Sequence, residues 1–160
     1  LNGEKQAISI TIDKFARGLS GKLKSGDVVS VIAPDYMGSR ETVIPQELQY
    51  VEVIAVTAKS GYDANMETGE DTEEKELPST VTLLVRPEQA KILAQLEAEG
   101  NIHLSLVYRG TTENAAKFIA AQDTILNELK AAEEAENEEG STEEEAEQEN
   151  SSPKEISEEE

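Results

Sequence analysis

Apolar and polar residues alternate most cleanly over residues 7–12, AISITI, where Ile8, Ile10 and Ile12 fall on one side and Ser9 and Thr11 on the other. A period of two with one apolar face predicts a half-buried strand. Residues 28–33 (VVSVIA) and 48–57 (LQYVEVIAVT) read as further strands. The second sets Val51, Val53 and Ala55 on one face against Tyr50, Glu52, Ile54 and Val56 on the other. Apolar groups on both faces predict a central position in the sheet. A shorter strand is expected at 41–44, ended by Pro45.

The clearest punctuation lies between residues 80 and 108, which read as strand, helix, strand. Thr80 to Val85 are β-branched or apolar, and Pro87 then takes the first helical position, where its missing N–H costs nothing. The helix is predicted over 87–99, burying Ile92, Leu93 and Leu96, with the small Ala90 and Ala94 allowing close approach to the sheet. Gly100 supplies the left-handed residue that ends it, and Ile102, Leu104 and Leu106 then alternate with His103, Ser105 and Val107 as a second strand. In the connection before residue 28, Phe15, Leu19 and Leu23 are expected to pin a glycine-punctuated segment to the core. There Gly26 provides a positive φ, and the Asp27 carboxylate accepts backbone N–H groups at the turn. Beyond Tyr108, Ala115, Phe118, Ile119, Ile125, Leu126 and Leu129 recur at helical spacing, predicting an amphipathic helix over 111–132 with Thr111 or Thr112 as its N-cap. Such a stripe packs on its own domain or receives a partner, and Phe118, Ile125 and Leu129 are the candidate partner contacts.

The pattern therefore predicts an α+β fold, with a β-rich core of about five or six strands, one packed helix at 87–99 and a C-terminal helical extension. Charge divides the chain further. Of a net −20, residues 131–160 hold −13, from 14 Glu and one Lys, and residues 63–76 hold −6. What is left is near neutral. An acidic insert at about 60–78 and a tail at 133–160 are both expected to lack fixed structure, since clustered carboxylates repel and bury nothing. Nucleic acid is excluded as a partner by the want of clustered Lys or Arg. No apolar run is long enough to span a membrane. The chain opens on Leu rather than Met, so it is expected to be a processed product or a fragment, its membrane anchor lying outside it.

Candidate chemistry is sparse. There is no cysteine, and the single histidine, His103, has no second His with which to build a usual zinc site. Asp63, Asn65, Glu67, Asp71 and Glu74 stand at positions 1, 3, 5, 9 and 12 of a calcium loop, but Thr68 occupies position 6, where glycine is needed. Tyr36, Tyr50, Tyr62 and Tyr108 are scattered and read as core and rim residues rather than a sugar platform. Asp27 has no acid or base partner in view. No catalytic set, metal site or cofactor is assigned.

The stretches AISITIDKFARGLSGKLKSGDVVSVIA, LQYVEVIAV and TVTLLVRPEQAKILAQLEAEGNIHLSLVYRG resemble the RcpC/CpaB domain of Flp (Tad) pilus assembly proteins over about residues 5–109. Gly26, Asp27, Val28 and Val31 match one element, and Thr80 to Leu83, Val85, Pro87, Gln89, Ala90, Leu93, Gly100, Leu104 and Leu106 match another. Ser30 departs from the family's acid, and the acidic insert and everything after 109 lie outside the pattern. The SAF segment that precedes the domain in relatives is expected to be missing or cut short here, as in a fragment. The resemblance implies a non-enzymatic, extracytoplasmic scaffold for a Flp/Tad-type (type IVb) pilus or related secretion machine. Such a scaffold docks to other assembly proteins or to peptidoglycan, and is anchored through an N-terminal membrane segment. A stand-alone cell-wall carbohydrate-binding module is the alternative.

Overall fold

The computed structural model describes residues 3–58, 78–100 and 102–149. In chain order these form β1 (Gln6–Thr11), β2 (Val28–Ile32), β3 (Val51–Ala58), β4 (Pro78–Val85), α1 (Pro87–Glu99), β5 (His103–Tyr108) and α2 (Thr112–Glu149), with short 3-10 turns at 15–21, 36–38 and 46–48. The five strands make one antiparallel sheet in the order β1-β4-β3-β2-β5. The architecture is α+β with a β-rich core, and β3 is its central strand. The chain resolves into two compact units, Leu1–Ile125 and Leu126–Glu160.

One face of the sheet carries the core. Ile10, Val29, Val31, Val51, Val53, Val81, Leu83 and Val85 cluster there with Leu93 and Leu96 of α1, all of them buried. Ile92 and Ala90 pack against the cluster from its margin, and so does Leu19. Leu23 is buried with them, whereas the Phe15 side chain lies outside the described residues. Gly18 permits this packing, because a Cβ there would come within 2.7 Å of Ile12 Cγ2. On the other face, β1 shows Ser9 hydrogen-bonded to Thr82 at 2.9 Å.

Four expectations change. No strand forms at 41–44: Val43 makes a single bridge to Ala33, just past the end of β2, and Pro45 follows two residues later. The run from Leu48 does not start as a strand, since Gln46–Leu48 turns first and β3 begins at Val51. Within β3, Val53 pairs with Leu83 and Ala55 with Thr82. That one-residue bulge inverts the alternation, so Val56 rather than Ala55 is buried. The fourth change is in α2, which continues to Glu149 instead of ending near 132. Its extension is built largely of Glu and Ala, whose helix propensity outlasts the apolar stripe. The acidic insert, with Tyr62 and the calcium-like spacing from Asp63, lies outside the described residues, as do residues 150–160.

Candidate functional site

The predicted turn residues occupy the ends of the elements they were assigned to. Gly26 has φ +87° and Gly100 φ +69°, both left-handed, and Pro87 opens α1. Gly26 and Asp27 exchange backbone hydrogen bonds with Val53, fixing the entry to β2. The Asp27 carboxylate is buried and fully engaged. It accepts from the Lys24 N–H at 2.7 Å and, on both oxygens, from Arg109 Nε and Nη2 at 2.7 Å each. Arg109 Nη2 also donates to the Lys22 carbonyl. Hydrogen bonding to Asp27 raises the Arg109 pKa above its ordinary value. A bidentate ion pair of this kind clasps the start of β2 to the end of β5. It leaves neither oxygen of Asp27 open to act on a substrate.

Of the predicted contact residues, Phe118 is brought into a defined site. Its ring centroid lies 5.3 Å from that of Tyr108, nearly stacked, and 5.5 Å from that of Tyr50, tilted by 57°. A bulge in β5 makes this possible. Val28 pairs with Tyr108 and Val29 with Leu106, so Val107 is the extra residue and stands exposed. Without it Tyr108 would share the core face with Leu104 and Leu106; with it Tyr108 turns to the face that carries Tyr50. The turn after β5 locks the ring, since a Cβ at Gly110 would fall on the Tyr108 hydroxyl and the Thr111 N–H donates to that oxygen. Hydrogen bonding by Thr111 and then Asn114 lowers the Tyr108 pKa from its ordinary value. The three rings, with Asn114, Lys117 and Ala121, line a groove of about 410 Å³. Ile125 and Leu129 are half-buried and do not join it.

Two buried glutamines that the sequence reading passed over secure this surface. Gln122 accepts from the Tyr50 N–H at 2.8 Å and donates to the Gln46 carbonyl at 2.9 Å. Gln89 accepts from the Arg86 N–H and donates to the Glu47 carbonyl. Together they satisfy the backbone of the 46–50 turn, which the sheet leaves unpaired. Asp123 adds ion pairs to Lys5 and Arg86. A polar residue in the middle of an apolar helical stripe, as Gln122 is, was the available signal. Among the described residues no group of three or more His, Cys, Asp or Glu could hold a metal ion. None of the described helices is long and apolar enough to cross a membrane.

The three rings thus form an aromatic groove where a helix closes over the antiparallel sheet of a small α+β domain. Residues 1–107 match the family model described as Flp pilus assembly protein RcpC/CpaB, and the chain belongs to that family. No curated protein and no solved structure matches it.

Proposed function

We propose that this domain is a non-enzymatic, extracytoplasmic scaffold that docks other components of a Flp-type pilus assembly machine. Membership of the RcpC/CpaB family is the observation that carries the reading. The surface assigned to docking is the groove between Tyr50, Tyr108 and Phe118, with Ile125 further along the same helix. Pre-ordered aromatic rings give contact area at small entropic cost. Deleting the domain is expected to abolish pilus assembly, and Phe118→Ser with Ile125→Ser to reduce it while the protein level is kept. Normal piliation without the domain would overturn the reading.

A second reading, contact with cell-wall polysaccharide, is favoured by one observation. Tyr50 and Tyr108 sit beside the polar Asn114 in an open groove, an arrangement on which a sugar ring can stack. Retention on purified cell wall, lost in Tyr50→Ala, separates this from docking to protein.

A further inference from the structure

We propose that the chain pairs with a second copy of itself through the outer edge of β1, in a two-fold antiparallel register centred on Ser9. The inference rests on the strand edge and not on the pilus reading. Among the described residues, strand β1 is at one end of the sheet and pairs only with β4. Its other side is identified by Thr11, whose N–H donates to Glu97 Oε2 of α1 at 2.9 Å instead of to β4. Because both backbone groups of a residue point the same way and the direction alternates, Ala7 and Ser9 present theirs outward as well. All three residues are exposed. An edge of this kind is a template for another strand.

Charge selects the occupant. Centring an antiparallel pair on Ser9 sets Ser9 against Ser9 and Ala7 against Thr11, so that the outward-facing residues meet one another as the ladder requires. The same register brings Lys5, the residue just before β1, opposite Asp13, two residues beyond it, and the two-fold axis makes the pairing twice. Moving the centre to Ile8 or Ile10 loses this opposite-charge match. The flanks of β1 are therefore complementary to themselves in one register, as an isologous interface demands.

The edge is also guarded. Glu97 holds the Thr11 N–H that the partner's Ala7 carbonyl would take, so its side chain must swing aside on pairing. Lys5 lies 3.4 Å from Asp123, and Asp13 lies 3.0 Å from Arg17. Both contacts are at the partly exposed ends of the strand and can be shared with the partner's charges. Glu97 accordingly sets the affinity, and removing it should tighten the pair.

Sedimentation equilibrium of the full chain over a range of concentrations tests this. The mass should rise from 17.4 kDa toward twice that value, at lower concentration in Glu97→Ala than in the unaltered chain. Ser9→Pro removes an outward N–H and leaves the β4 ladder intact, so it should abolish pairing with an unchanged circular dichroism spectrum. Lys5→Glu should weaken pairing about tenfold, by replacing two attractive contacts with two repulsive ones. Adding Asp13→Lys to that variant should restore it. A chain that stays monomeric, with or without Glu97, would overturn the proposal. So would a dimer indifferent to Ser9→Pro and to the charge exchange, or an edge occupied only by a different pilus component.

Discussion

At the scale of single residues, the domain depends on positions where one atom decides the conformation. Leu93 and Leu96 are buried in the contact between α1 and the sheet, and truncating either to Ala should cost about 2–5 kcal/mol, through lost transfer energy and the cavity left behind. Gly100 differs in kind. A Cβ there meets nothing within 4 Å, so Gly100→Ala is opposed only by its left-handed φ of +69°, at about 1 kcal/mol. Urea unfolding of Leu93→Ala and Gly100→Ala should therefore give clearly separated midpoints, and equal losses would refute the assignment of Leu93 to the core. The Asp27–Arg109 clasp belongs to the same scale. Gly26 and Asp27 were legible because a turn into a strand asks for a positive φ and a local acceptor. Arg109 lies 82 residues away in sequence and carries no local sign of its partner.

At the scale of elements, α1 is nearly self-specified, with its start and stop written beside it, and β4 has its stop written in Pro87. The two bulges are not. In β3 the extra residue moves burial from Ala55 to Val56, and in β5 it turns Tyr108 away from the core. A bulge follows from how two strands meet, so neither strand announces it alone. Helix α2 combines both cases. Its apolar spacing foretells a helix, while the reason it holds to the sheet is Gln122, which replaces a strand partner for Gln46 and Tyr50. Gln122→Leu should cost about 1–3 kcal/mol despite its added apolar surface, because two backbone groups lose their partner. Amide exchange at Tyr50 should accelerate in that variant; unchanged exchange would show that Gln122 is dispensable.

At the scale of the whole molecule, charge is spread unevenly along the chain. Residues 131–160 and 63–76 hold −19 of the net −20, whereas the sheet, α1 and the first turns of α2 are close to neutral. Added salt should therefore leave the tyrosine-reported melting of Leu1–Ile125 almost unchanged, yet raise helical ellipticity as repulsion along the acidic part of α2 is screened. A large rise in the tyrosine-reported midpoint would mean that the acidic segments strain the folded unit. The family match ends at residue 107, but the folded unit extends to Ile125, so α2 is part of what the docking reading must explain.

The sequence by itself determined the strands with one apolar face, the capped helix at 87–99, the left-handed glycines and the separation of acidic from neutral chain. Each of these is settled within a few residues, by alternation, by a cap or by local composition. Tertiary structure decided the strand order, the pairing of Asp27 with Arg109, the reversal of Tyr108 and the meeting of Tyr50, Tyr108 and Phe118 in one groove. These depend on which backbone groups are left without partners once the sheet has formed, and that is a property of the assembled strands rather than of any one segment.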